Sequence, residues 1–249
     1  MYLTVRALVL RVTAYNDNDA LLTLLSSDHG KLTVKVRGLR RKNSPLTAPC
    51  QLLAFSEFTL FEYRGMYTVN EAQSIELFHN LHKDLLNLSL GTYFVQVAEV
   101  VSQEDLPNPE LLSLVLNCLY ALAKLTVSPV QVKTVFELRC CCLAGYLPEL
   151  SGCYRCGNLI PDRFNISEGR TECFGCRDAD SSGIRLPLSF SALEALRYIC
   201  HCNGKRMFSF QTSGDTLEIL SQLSESYLLT QLERGFSTLD FYKSLSMQS

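Results

Sequence analysis

The sequence predicts an α+β fold, with a small closed β-barrel followed by a helical half that carries a cysteine-rich insert. Three observations lead there. Up to about residue 78, short β-branched runs alternate apolar and polar positions between turn residues. Beyond that point apolar residues recur at helical spacing. Between Cys153 and Cys176 stand two Cys-x-x-Cys pairs with sixteen residues between them.

LTVRALVLRV from Leu3 ends at the polar cluster Tyr15-Asn16-Asp17-Asn18-Asp19, a turn. ALLTLLS from Ala20 is a second run, closed by Asp28-His29-Gly30. In LTVKVR, Leu32, Val34 and Val36 face one way and Thr33, Lys35 and Arg37 the other. The loop GLRRKNSPLTAP follows, broken by Gly38, Pro45 and Pro49. A long strand, QLLAFSEFTLFEY, reaches an Arg64-Gly65 turn, and MYTVNEAQ returns from it. Five short antiparallel strands with one long loop suit a barrel, because closure removes exposed edges. An SH3-like barrel fits the strand count nearly as well.

The period turns helical around Ser74. Leu81, Leu85, Leu88, Tyr93, Val97, Val100 and Val101 give one or two helices to about Ser102. Pro109-Glu110 starts the next, to about Leu125. Pro129 opens a third, which Gly145 stops. A helix runs from Leu188 to Cys200 with Ser189 or Ser191 as cap, Asp215 caps another to about Thr230, and LDFYKSL docks at the end through Leu239, Phe241, Tyr242 and Leu245. Cys140, Cys141 and Cys142 read as small core residues within an apolar stretch.

The insert carries the strongest chemical signal. Two residues between cysteines let one tight turn aim both sulfurs at one ion, and a second such turn completes a tetrahedron with bonds of about 2.3 Å. Cys153, Cys156, Cys173 and Cys176 are therefore candidate ligands of one structural Zn²⁺. Four thiolates fill the shell, whereas a catalytic zinc keeps a position open. Gly157 and Gly175 relax the turns, and Arg155, Arg163, Arg170 and Arg177 offset the site's negative charge. Redox-active pairs or four unrelated thiols are the alternatives. Cys200, His201 and Cys202 are poor substitute ligands, since adjacent helical residues do not face one ion.

Composition narrows the rest. The 249 residues are 47% hydrophobic and 19% charged, enough for a sizeable core in one or two domains. The chain starts without a secretory signal, and its most apolar segment, Leu111 to Leu125, is too short to span a bilayer, so a soluble intracellular protein is expected. A net charge of −2 gives no general affinity for polyanions. Yet Lys31, Lys35, Arg37, Arg40, Arg41 and Lys42 form a run of six basic residues with no acidic one among them, the footprint of a nucleic-acid surface or of a merely solvated loop. Phe58, Phe61, Tyr63 and Tyr67 are candidate stacking platforms. No paired carboxylates, nucleophile–base set or phosphate-cradling glycine loop is present, and the four histidines are scattered, so no enzyme is expected.

The order of parts resembles the bacterial RecO family across essentially the whole chain. The resemblance rests on the Tyr-x-x-x-Asp turn with HGKLTVKVRGLRRKNSPL, on FELRCCCLAGYLPELSGCYRCG from Phe136 to Gly157, and on QLERGFSTLDFYKSL near the end. It implies an OB-fold nucleic-acid-binding barrel over residues 1–78 and a helical domain over 79–249 with the zinc element at about 150–180. It further implies a cytoplasmic, nucleoid-associated recombination mediator in DNA repair. Such proteins bind single- and double-stranded DNA, anneal complementary strands, and act with RecR to load RecA onto strands coated by single-strand-binding protein (SSB). They also contact the SSB C-terminal tail. An acidic tail with an apolar end needs an apolar pocket rimmed by cations, for which Lys133 and Arg139 are candidates. The three neighbouring cysteines depart from the family's usual apolar residues and predict an oxidation-sensitive helix. A protein adaptor stabilised by zinc and never touching nucleic acid is the rival. A thiol–disulfide oxidoreductase fits less well, for want of a βαβ context.

Overall fold

Period-two alternation decides the first part of the chain. Strands β1 (Tyr2–Tyr15), β2 (Asp19–Ser26), β3 (Gly30–Val36), β4 (Phe55–Tyr63) and β5 (Met66–Glu76) close into a barrel of order β1-β2-β3-β5-β4. Neighbours are antiparallel except β3 and β5, which run parallel at Val34↔Tyr67 and Lys35↔Thr68. The expectation of antiparallel strands throughout is corrected by that pair, and the order is that of an OB-like barrel. Inward positions supply the core: Val5, Ala7 and Val9 from β1, Leu22 and Leu24 from β2, Leu32, Val34 and Val36 from β3, Phe58 and Leu60 from β4. Every one of them is apolar.

The computed structural model describes residues 1–124, 126–176 and 183–247. They belong to two compact units, Met1–Leu125 with Phe236–Ser249, and Thr126–Gly235. In the first unit the barrel is joined by helices α1 (Leu85–Val101), α2 (Pro109–Lys124) and the late α6 (Ser237–Ser246). Asp84 caps α1 by accepting from Leu86 N at 2.9 Å. α6 packs on α1, where Phe236 meets Tyr93 edge-on at 5.7 Å between ring centroids. Of its expected docking residues, Leu239 and Tyr242 are buried and Phe241 is exposed. Gly30 shows why β3 must begin on glycine. Its φ is +60°, and a Cβ there would stand 2.1 Å from the Leu106 carbonyl oxygen in the connection after α1.

Two boundaries differ from the periodicity. Residues 51–54 are turns, with Leu53 at φ 68°, so β4 begins at Phe55 rather than Gln51. Ser74 is still strand. β5 ends only at Glu76, whose side chain accepts from the Leu77 and Phe78 amides and halts the ladder.

The second unit holds α3 (Pro129–Leu143), α4 (Phe190–His201) and α5 (Gly214–Gln231), with a sheet of order β7-β6-β8 from β6 (Arg163–Asn165), β7 (Arg170–Glu172) and β8 (Arg185–Pro187). Ser128, Ser189 and Ser213 cap the helices. The expected cap Asp215 instead sits in the first turn of α5, where a carboxylate favours the helix dipole. Three-residue strands are too short to show a period, so this sheet left no trace in the sequence. Cys140 and Cys141 are buried, and burial pushes the Cys140 thiol up to about 12 and Cys141 further still. The third of the run, Cys142, is only half-buried, and its hydrogen bond with Cys200 lowers the pKa of its thiol. Among the described residues no helix is long and apolar enough to cross a membrane.

Candidate nucleic-acid interface and metal centre

The barrel's outward residues line up across four strands. Tyr2 pairs with Phe61, Phe61 with Thr68, and Thr68 with Lys35. Register partners project from the same face, so these four side chains form one transverse row. Two residues further along the strands, Tyr63 faces Met66, and Arg37 follows Lys35 on the same side. Tyr2, Phe61, Tyr63, Met66, Lys35 and Arg37 line an open groove of about 460 Å³. Its apolar members are unusually exposed, Tyr2 at 62%, Phe61 at 40%, Tyr63 at 61% and Met66 at 55%. The Tyr2 and Phe61 rings lie 5.3 Å apart, and the Arg64 guanidinium sits 5.2 Å from the Tyr63 ring centroid.

Register also sorts the expected platforms. Phe61 and Tyr63 face out. Phe58 is fully buried and Tyr67 packs against the core, which removes both, because they alternate to the inner face. Tyr2, Met66 and Arg64 went unnoticed in the sequence. Local alternation did not settle which rings face out, and only the pairing of β1 with β4 brings Tyr2 beside Phe61.

The basic run divides by position. Lys35 and Arg37 enter the groove, while Arg40, Arg41 and Lys42 are exposed on the loop that follows β3. The Lys35 ammonium bonds Asp19 at 3.1 Å and lies 4.7 Å from the Tyr15 ring centroid. Lys31 stands at the other end of β3, donating to the Glu99 carbonyl in the last turns of α1 at 3.3 Å.

In the second unit the four insert cysteines converge. Their Sγ atoms all lie within 4.8 Å of one another, with Cys156 and Cys173 at 3.9 Å. A tetrahedron with bonds of about 2.3 Å has edges of about 3.8 Å, so the cluster is positioned to hold one metal ion. No other such group of His, Cys, Asp and Glu occurs among the described residues, and Cys200, His201 and Cys202 do not join it. Gly157, at φ +72°, closes the first knuckle by donating to the Cys153 carbonyl at 2.9 Å. Cys173 N donates to Cys153 Sγ at 3.3 Å, and Asn158 Nδ2 to Cys173 Sγ at 3.3 Å. Burial raises the Cys153 thiol, but the Cys156, Arg155 and Cys173 amides outweigh it and bring it to about 6. Amides aimed at sulfur favour the thiolate that a metal needs.

The nearby arginines stack around this centre. Arg170 lies 3.6 Å and Arg155 5.7 Å from the Tyr154 ring centroid, and Arg163 sits over Phe174 at 5.2 Å. Arg177 falls outside the described residues. One buttress was invisible in the sequence. Arg197 of α4 donates to the carbonyls of Leu150, Ser151 and Leu159, on both sides of the first knuckle.

The two residues expected to rim a partner pocket have other roles. Lys133 is 2% exposed, its ammonium bonded to Glu137 at 3.0 Å and Glu225 at 2.9 Å, and Glu137 also accepts from Ser224 at 2.6 Å. Desolvation opposes the Lys133 charge, and the two carboxylates overcome it and raise its pKa. Arg139 turns inward to the Ile199 and Cys202 carbonyls at 3.1 and 2.9 Å, at the C-terminal end of α4. Helical spacing placed both on α3. It did not reveal that α4 and α5 cover that face.

Residues 1–78 match the family described as Recombination protein O N terminal, and residues 82–240 match Recombination protein O C terminal. The chain belongs to the RecO family. It is 35% identical over 246 residues to the DNA repair protein RecO of Acetivibrio thermocellus, covering 98% of this chain and 97% of that protein. It is 31% identical over 245 residues to the DNA repair protein RecO of Desulforudis audaxviator, covering 98% and 97%. With that of Alkaliphilus metalliredigens it shares 27% over 248 residues, covering 98% and 100%. RecO membership makes it a DNA repair and recombination protein.

Proposed function

We propose that this RecO-family chain is a non-enzymatic recombination mediator whose barrel holds single strands along the groove of Tyr2, Phe61, Tyr63, Lys35 and Arg37. The observation that carries the reading is the shared row, in which exposed rings and cations occupy one face of an otherwise apolar-cored barrel. Cations track phosphates and release counterions, and rings stack on any base because every base has a π-face. Contacts of that kind leave Watson–Crick edges free. Two neutralised strands can then approach and pair, which is annealing. Duplex DNA binds through its phosphates alone, with Arg40, Arg41 and Lys42 on the exposed loop extending the track.

In this reading residues 1–78 act on DNA and residues 79–249 receive protein partners, with the metal element at about 150–180 as a staple. The partners are RecR, the SSB C-terminal tail and, through them, RecA on SSB-coated strands, in the cytoplasm. The tail pocket is left without Lys133 and Arg139, which are committed inside the fold. The ion is Zn²⁺ bound by Cys153, Cys156, Cys173 and Cys176. When bound it supplies cross-linking and no open coordination position.

Annealing of two complementary labelled oligonucleotides, bare and SSB-coated, tests the proposal. Wild type accelerates pairing of both, and reversing Arg37, Arg40 and Arg41 to Glu abolishes the acceleration without lowering the melting temperature. No acceleration by the folded wild type favours the adaptor reading instead.

A further inference from the structure

The Tyr-x-x-x-Asp turn has a role that neither core packing nor the metal explains. Tyr15 and Asp19 are register partners that close a three-residue turn, with Asn16 at φ 59°. This turn is bonded at four points to the end of β3 and the loop beyond. Asp19 Oδ1 accepts from the Gly38 amide at 2.9 Å, and Asp19 Oδ2 pairs with Lys35 at 3.1 Å. The Asn18 carbonyl accepts from the Arg40 amide at 3.0 Å, and the Asn16 carbonyl from Arg40 Nη1 at 3.3 Å. The loop then curls on itself, Arg41 N donating to the Gly38 carbonyl and Ser44 N to that of Arg41, each at 3.2 Å.

We propose that Asp19 is a positioning residue for the barrel's basic track: one carboxylate oxygen fixes the backbone where the loop leaves β3, and the other orients Lys35. The inference rests on the DNA-binding reading of the barrel. An acidic residue beside a phosphate path is at first sight an obstacle, since it repels the ligand. Its geometry resolves the conflict. Gly38 sits at φ +66°, where the chain turns sharply from strand to loop, and the Asp19 carboxylate is the side-chain acceptor of that turn's amide. Arg37, Arg40 and Arg41 leave the strand on either side of this anchored point. Pre-set side chains lose less freedom on binding than those of a loose loop. The Gly38 amide, and after it Lys35, hold the Asp19 carboxyl below the usual carboxylate range, as a permanently ionised anchor requires.

Three substitutions separate position from charge. Asp19→Asn keeps an oxygen for the Gly38 amide and drops both the charge and the Lys35 pairing. Asp19→Glu keeps the charge and moves it by one methylene, and Asp19→Ala removes both. Fluorescence anisotropy of a labelled single-stranded oligonucleotide, with the full chain, is the readout. Positioning through the Gly38 bond predicts that Asn, which gives up the Lys35 pairing together with a charge that repels phosphate, binds about as tightly as wild type, while Glu and Ala bind roughly threefold to tenfold more weakly, the cost of ordering one or two long basic side chains. A charge-only role predicts the opposite order, with Glu like wild type and both Asn and Ala tighter, and that order would overturn the inference. Should Asp19→Ala not fold, the Asn and Glu pair decides. Hydrogen exchange over residues 38–44 gives an independent check: it speeds up in Glu and stays unchanged in Asn, and equal exchange in both rejects the anchor. Wild type that fails to bind DNA at all removes the underlying reading and the inference with it, a result distinct from wild type that binds with variants in the wrong order.

Discussion

The barrel and the unit of α3, α4 and α5 are built on opposite principles. The barrel's core is apolar, and its charges and exposed rings lie on the outside. The second unit turns its chemistry on itself: a lysine with two glutamates between α3 and α5, an arginine turned onto the end of α4, and four thiols, of which only Cys153 is buried, gathered at one point. The difference teaches where each kind of residue is spent. In the barrel, burial of apolar surface holds the fold, so polar positions are free to face a ligand. In the second unit, many of the polar groups that look like binding residues hold the fold themselves.

Metal removal tests that contrast with the largest expected effect. Structural zinc binding contributes on the order of 10–16 kcal/mol in isolated zinc fingers. A strong chelator should therefore release one metal per chain and lower the melting temperature of the second unit, with single-strand binding by the barrel retained. Equal loss in both units would mean that the contrast is drawn in the wrong place. Metal analysis and differential scanning calorimetry report the outcome.

Next comes Lys133→Met. Removing one partner of a buried ion pair typically costs about 3–5 kcal/mol, because the opposite charge stays buried without its partner. Denaturant unfolding should show a loss of that size, with DNA affinity unchanged. A loss under about 1 kcal/mol would return Lys133 to the surface.

The smallest of the three is Phe61→Ala with Tyr63→Ala. Base stacking contributes about 1–3 kcal/mol per base, so single-strand affinity should fall about tenfold or more and duplex affinity hardly at all. Both rings are well exposed, and the melting temperature should move little. Equal losses for single and double strands would identify the groove as a purely electrostatic surface.

How far the sequence could be read follows the same division. Residues 32–37 announce their strand, both its faces and its charges, because one period governs all three. The four cysteines announce their cluster through spacing alone. Tyr2 and Phe61 lie far apart in the chain, and no local pattern joins them; only the closure of β1 on β4 does. Lys133 and Arg139 misled for a related reason. A charge on an amphipathic helix reads as solvated until the neighbours packed on it are known, and here α4 and α5 cover that face. Arg197 was hidden too, since a gripping arginine and a solvated one have the same sequence.

The most direct test of the central claim, that the barrel's outer row is a single-strand track, is the salt dependence of oligonucleotide binding by the metal-loaded full chain. With Lys35, Arg37, Arg40, Arg41 and Lys42 facing phosphates, log K against log salt should fall with a slope of roughly −2 to −3.5, from about 0.7 ions released per contact on single strands. Reversing Arg37, Arg40 and Arg41 to Glu should flatten that slope toward zero. A steep slope that survives the reversal would place the DNA on another surface, and no binding at low salt would contradict the account outright.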